Sequence, residues 1–513
     1  MTRRIPMLAS AVVFLFLALL PEPWAAGATN ASSAAPEDAT LKALAAVAGA
    51  GAMEAHTTEF LEELSDDIGA RVTGAPQAAK AIAWGVEKMN SIGLENVHTE
   101  AWQIARGWTR ISADAEIVSP IHRRLMIDSL GWVGSTPANG IETDVVLVDS
   151  NRLDEEMLEN APHWRGKVLL AVPRGPRTLD QFARFVKFGE FLRAAYKAGA
   201  LAVIGGQSGG NAAGMHLTHT GVLGFDTFFD IPVVSMAAED QEQIQRFLSR
   251  GKSVRLKLNV QNSVTDKPVD SANVVGDIRG TEHPEQIIVV GGHLDSWDLA
   301  SGATDNGCGV STTLGAAEAI LKSGVKPRRT IRFVLFTGEE QGLLGSIAYT
   351  KIHRQEMPNH VAAVVLDNGQ GPVVGLQLGG RTDLVPAVER FAASLQAFGD
   401  IGVNDDTEFD TDTGPFILAG LPAINLDQDS PDYKYTHHSA VDTFDKVKPE
   451  ILDRNATVMA LVSFWIADRP ERLASPWPAE KIARMLVDRH EDSFLKAIGV
   501  WPFGNLGSDA ENK

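Results

Sequence analysis

The residues able to do chemistry gather in two stretches, GGHLDSWDLASGATDNGCG from Gly291 to Gly309 and VLFTGEEQGLLGS from Val334 to Ser346. In the first, the apolar run Ile287 to Val290 predicts a buried strand that stops at two glycines, so His293 and Asp295 emerge at a strand's carboxyl end. In the second, the β-branched and aromatic run Thr330 to Phe336 predicts another strand, broken by Gly338 just before Glu339 and Glu340. Zinc takes imidazole and carboxylate ligands, and two ions about 3.5–4 Å apart need a carboxylate between them. Asp305 is the candidate bridge. Paired glutamates at a strand end can divide the work, so Glu340 is assigned to metal and Glu339 to general base. Downstream, Asp367 ends the apolar run of VAAVVLDNG, and His438 lies in YTHHSAVDT beyond the strand AINL; both are candidate ligands.

Taken together, HLDSWD, ATDNG, FTGEEQGLLGS, VVLDNG and HHSAVDT resemble the co-catalytic zinc exopeptidases, a family of aminopeptidases and glutamate carboxypeptidases, and are most similar to its carboxypeptidase Q branch. The resemblance implies that His293, Asp305, Glu340, Asp367 and His438 hold two zinc ions per chain, with Asp305 between them and Glu339 as the base. It also implies that Asp295 is the carboxylate that orients His293. The choice of His438 over His437 follows from Asp442, four residues after the ligand. Asp412 in FDTDTGPF matches a family position near the site, although Thr413 stands where many relatives have histidine.

Other polar residues are assigned plainer roles. Asp298 and His437 support or flank the centre, while Asp427 and Asp429 read as loop carboxylates. Cys308, the only cysteine, excludes an intrachain disulfide and reads as a small buried residue at a helix start. His216 and His219 in GMHLTHTG read as loop residues, in a loop that the resemblance places near the substrate cleft. Tyr433, Lys434 and Tyr435 precede His438; the two tyrosines are candidate substrate contacts, together with Asp412, and Lys434 could meet a substrate carboxylate.

These residues must be positioned by a large scaffold. From Asn273 onward strands and helices alternate, which predicts an α/β fold with a mixed, largely parallel sheet flanked by helices. Between 136 and 262 the texture shifts to short strands, DVVLV, KVLLAV, LAVIGG and IPVVSM, closed by the alternating run Val254 to Val260. This reads as an inserted unit and resembles a protease-associated domain. The expected organisation is a signal peptide at 1–28, the amino-terminal part of the catalytic domain at 29–135, the insert at 136–262, the zinc peptidase catalytic domain at 263–470 and a tail at 471–513. Arg3 and Arg4 followed by the apolar run Met7 to Leu20 and small residues near Ala25 predict export, secreted or periplasmic, without a stable membrane anchor.

A net charge of -19 argues against nucleic acid and anionic membranes as partners. The expected partners are a small peptide substrate and a second copy of the chain. The expected activity is hydrolysis of dipeptides or short peptides with free termini, of aminopeptidase or dipeptidase type. Alternatives are a carboxypeptidase acting on dipeptides and a receptor-like binding protein that has lost catalysis. A further one is a one-zinc enzyme that cyclises amino-terminal glutamine.

Overall fold

The computed structural model describes residues 35–54, 56–174, 181–205 and 215–506. The signal peptide expected at 1–28 lies outside them. Thr40–Lys513 forms one compact unit and Met1–Ala39 counts as another. Among the described residues no helix is long and apolar enough to cross a membrane.

Two eight-stranded mixed sheets organise the chain. Across the first, the strands are Glu95–Ile104, Val269–Ile278, Arg329–Phe336, His283–His293, His360–Val365, Ala423–Gln428, Val373–Gln377 and Gly402–Asn404. The four from Arg329–Phe336 to Ala423–Gln428 are mutually parallel, and antiparallel pairs flank them on both sides. The sheet is thus mixed, with the expected parallel run at its centre. Those central strands are buried along nearly their whole length, as a sheet covered on both faces by helices requires. The Cys308–Lys322 helix, buried from Cys308 to Ile320, packs between this sheet and the Pro449–Asp468 and Thr57–Glu62 helices.

The second sheet takes its strands from Trp108 to Val264. Its middle strands, Ile141–Asp149, Val168–Val172, Ala202–Ile204 and Val233–Met236, are parallel and correspond to the short apolar runs of the sequence. Arg255–Val264 joins them antiparallel to Trp108–Ser119, so the sheet reaches further toward the amino terminus than the change in sequence texture at 136.

Local signals act as expected at several ends. Pro76 opens the Pro76–Ile92 helix, and Gly93 closes it at φ +94 in the left-handed region that glycine enters without penalty. The Ala-rich stretch from 41 to 64 is divided between the helices Ala35–Glu54 and Thr57–Glu62. At the break, the His56 N–H donates to the Glu318 carboxylate at 3.1 Å, and its ring Nδ1 lies 2.8 Å from the same group. A tertiary acceptor has replaced the helical carbonyl.

Candidate metal centre

Three adjacent parallel strands end on the site. His283–His293 stops at His293, Arg329–Phe336 continues through Gly338 to Glu339 and Glu340, and His360–Val365 continues to Asp367. The next strand, Ala423–Gln428, leads through the single turn Tyr433–Thr436 to His437 and His438. Asp305 lies in the turn Ala303–Gly307 that opens the Cys308–Lys322 helix, where the Asp305–Asn306 peptide is cis. In the chain these residues are far apart; the carboxyl edge of the parallel run brings them together.

His293 Nε2 lies 3.2 Å from Asp367 Oδ1, 3.3 Å from Asp305 Oδ1 and 3.9 Å from Glu339 Oε2. On the other side, His438 Nε2 lies 2.9 Å from Glu340 Oε2 and 3.3 Å from Asp305 Oδ2. Asp305 therefore turns one oxygen to each imidazole. His437 stacks on His438 with ring centroids 3.7 Å apart, and its Nε2 stands 3.7 Å from Asp305 Oδ2. Its position makes it an alternative donor to the same half of the cluster.

Electrostatically the cluster is short of positive charge. Burial, reinforced by Asp367, Glu340 and Asp412, holds the Glu339 carboxyl well above the usual range, and burial with Asp305 does the same to Glu340. Burial opposes ionisation of Asp305 too, but the His293 contact and the nearby histidines bring it below its ordinary value. The buried atoms Asp305 Oδ2 and Glu340 Oε1 meet no hydrogen-bond partner among the described residues. The buried cation behind them, Arg71, spends its guanidinium on the carbonyls of Gly69, Leu294, Ser301 and Gly302 at 2.6–2.9 Å. Uncompensated buried carboxylates beside two imidazoles form a donor set that divalent cations fit.

Supporting contacts fix the donors. His293 Nδ1 lies 3.0 Å from the Asp295 carbonyl and 3.7 Å from its carboxylate, so the main chain rather than the side chain accepts the ring proton. The Asp295 carboxylate is occupied elsewhere, by the Thr73 hydroxyl at 3.0 Å and the Glu339 N–H at 3.3 Å. It thereby fixes the base's backbone. Asp442 accepts the N–H groups of Thr304 at 2.6 Å and Asp305 at 3.2 Å, tying the His438 loop to the bridging residue.

The remaining sequence candidates fall into place around this cluster. Tyr433 is half-buried with its ring 4.9 Å from that of His437, and Tyr435 carries the Lys434 ammonium 4.9 Å from its ring centroid. Asp412 is wholly buried with both oxygens lacking a hydrogen-bond partner among the described residues, and burial pushes its pKa up to about 7. Its burial keeps it off any open wall, and its charge raises the proton affinity of Glu339. Cys308 is buried, and burial pushes its thiol up. Asp298 pairs with Arg110 at 2.8 Å, and Asp427 accepts from Asn404 at 3.0 Å. His216 faces Asp240 at 3.1 Å, away from the centre, whereas His219 reaches it: its Nδ1 lies 2.7 Å from the His437 carbonyl. Arg71, Trp297, whose ring lies 5.8 Å from that of His438, and Thr220, whose carbonyl lies 3.2 Å from His438 Nδ1, carry no sequence signal of their own.

The peptidase family M28 profile matches residues 273–463, the segment that holds every candidate ligand. Carboxypeptidase Q of Homo sapiens is 32% identical over 434 residues, covering 84% of this chain and 89% of the relative, and that of Pongo abelii is equally similar. The chain belongs to peptidase family M28. This M28 enzyme is a zinc-dependent metallo-exopeptidase. The crystal structure of a peptidase M28 precursor from Shewanella amazonensis superposes with a TM-score of 0.77 at 28% identity, over 86% of this chain and 100% of that one. A zinc aminopeptidase from Bacillus subtilis shares the M28 enzyme's fold with a TM-score of 0.63 at 22% identity, over 82% of this chain and 97% of that one.

Proposed function

We propose that this M28 peptidase cleaves dipeptides or short peptides with free termini, in the aminopeptidase or dipeptidase manner, with two zinc ions per chain. His293 and Asp367 would hold one ion, Glu340 and His438 the other, and Asp305 both. The observation that carries this reading is the placement of Asp305, whose two oxygens address two separate imidazole and carboxylate groups. When bound, zinc lowers the pKa of water and polarises a carbonyl.

The chain's own residues do the rest. Glu339 lies within donor range of His293 and Asp367 on the same half of the cluster; assigned to no ion, it takes the proton from the attacking water and returns it to the leaving amine. The raised affinity that burial gives its carboxyl for a proton suits both steps. Asp295 holds Glu339 in place through its backbone, and its carbonyl fixes the His293 tautomer. Tyr433 and Tyr435 flank the substrate side, and Asp412 sets the environment of the base. We read 136–262 as an inserted protease-associated domain and the chain as exported and homodimeric. The exposed Lys434 of this chain, over the Tyr435 ring, together with a relative named carboxypeptidase Q, supports a second reading in which the carboxyl end is recognised.

A panel of dipeptides blocked at either end, assayed with elemental analysis of the enzyme, separates these readings. Two zinc equivalents and loss of turnover on blocking the amino end are expected. Indifference to that block defeats the aminopeptidase reading, and one equivalent defeats the two-ion site.

A further inference from the structure

The ends of the parallel strands and the helix start beside them supply every candidate ligand, yet one of them is held from elsewhere in the chain. Leu217 to Gly221, chain from the second sheet's half of the molecule, lies alongside the Thr436–Ser439 loop, with His219 bridged antiparallel to Ser439. The Thr220 N–H donates to the His438 carbonyl at 2.8 Å, and His438 Nδ1 lies 3.2 Å from the Thr220 carbonyl. A carbonyl only accepts, so His438 carries its proton on Nδ1 and presents the Nε2 lone pair to Asp305 and Glu340. His219, wholly buried, closes the clasp by donating from Nδ1 to the His437 carbonyl at 2.7 Å.

The clasp is itself anchored to the loop that follows His293. Arg110 pairs with both oxygens of Asp298, at 2.8 and 3.1 Å, and donates to the Thr220 hydroxyl at 3.0 Å. Trp297, next to Asp298, packs its ring beside His438. Both imidazole ligands are thereby joined through one ladder of contacts that runs across the second sheet's strand Trp108–Ser119 and its 217–221 segment.

We infer that His219 is a positioning residue of the metal centre: its Nδ1–H holds the His437–His438 backbone in the register that lets Thr220 fix the ligand tautomer of His438. The inference rests on His438 being a ligand. It extends the centre to a residue 219 positions away from that ligand, in a segment that reads as an accessory unit. The Nδ1 donor is the part that matters. Asparagine places an N–H near the position of Nδ1, whereas glutamine places its amide near Nε2 and leaves the carbonyl without a donor.

The experiment compares full-length His219→Asn, His219→Gln and His219→Leu with the wild type, measuring zinc dissociation by chelator competition and the visible spectrum of the cobalt-loaded protein. Loss of an outer contact to a metal-bound histidine costs about 10–100-fold in affinity. That loss is expected for Gln and Leu at one of two ions, with an altered cobalt spectrum, while KM at saturating zinc stays near wild type and Asn restores binding to within a few-fold. Thr218→Val, which removes a neighbouring buried hydroxyl bonded to Asp128, controls for loosening of the segment and should leave zinc affinity unchanged. Equal zinc affinity in Gln and wild type overturns the inference, as does equal loss in Asn and Gln or in Thr218→Val. Should Leu fail to fold, Asn against Gln still decides. A His438→Ala variant that keeps both ions would instead show that the ligand assignment is wrong.

Discussion

Asp305 and Glu339 illustrate how neighbouring carboxylates acquire different duties. Asp305 faces imidazoles on both sides, which keeps it ionised and fit to lie between cations, whereas burial first, and then the surrounding acids, make Glu339, 3.9 Å from His293, retain a proton readily. Glu339→Gln keeps the shape and removes the proton acceptor. Its kcat should fall about 10²–10⁴-fold with zinc content unchanged, checked by elemental analysis beside steady-state kinetics. Undiminished turnover in the fully loaded variant would remove Glu339 from the mechanism. Away from the centre, His360 is wholly buried, with Nε2 2.9 Å from the Tyr349 hydroxyl and Nδ1 3.0 Å from the Glu356 carbonyl. Burial lowers its pKa to about 4, so the folded state resists protonation that the unfolded chain accepts near the ordinary value of 6.5. Well above pH 6.5 neither state is protonated, and the titration of His360 has no effect on stability. As pH falls toward 4 the unfolded state gains the proton first, and at most about 3 kcal/mol is lost. Urea midpoints measured from pH 7 to 4 should therefore decline less steeply in His360→Gln; an unchanged slope refutes the assignment.

At the scale of elements, catalysis depends on how closely a helix start can approach the ends of strands. Gly309, in the first turn of the Cys308–Lys322 helix, has Asn306 Oδ1 2.3 Å and the Leu366 carbonyl 2.5 Å from where a Cβ would stand. Asn306 in turn donates to that carbonyl at 2.9 Å, next to Asp367. Gly309→Ala should thus separate the Asp305 turn from the Asp367 strand end, costing about 1–3 kcal/mol of stability and weakening zinc binding. Calorimetry and chelator competition check both effects, and a variant equal to wild type in both contradicts the packing argument. The ends of the strands that lead to His293 and to Glu339 and Glu340 were legible because an apolar run that stops at glycine marks both the element and the place where its next side chains emerge. The second sheet was legible only as a change of texture between 136 and 262, and its strand Trp108–Ser119, which pairs along the length of Arg255–Val264, lies outside that change. Roles for His219, Thr220 and Arg71 were not legible at all. Each acts through or upon main-chain carbonyls of residues more than 200 positions away, and no side-chain spacing records such a pairing.

For the whole molecule, the candidate ligands come from four strand ends and one helix start, so metal binding and the integrity of the sheet's carboxyl edge are linked. A chain of net charge -19 that also buries Asp305, Glu339, Glu340 and Asp367 against one another carries repulsion that the unfolded state relieves. Zinc bound to the folded form alone adds RT ln(1 + [Zn]/Kd), about 2.7 kcal/mol per site at a hundredfold excess over Kd. Stripping zinc with a chelator should accordingly lower the Tm, and added zinc should restore it in a concentration-dependent way. Glu339→Gln should keep that increment in full, because the base is not among the ligands, whereas His438→Ala should lose about half of it and His293→Ala a similar share. A Tm indifferent to chelation would mean that the edge is held by packing alone. An increment lost equally in Glu339→Gln would mean that the base and the ligands have been assigned the wrong way round.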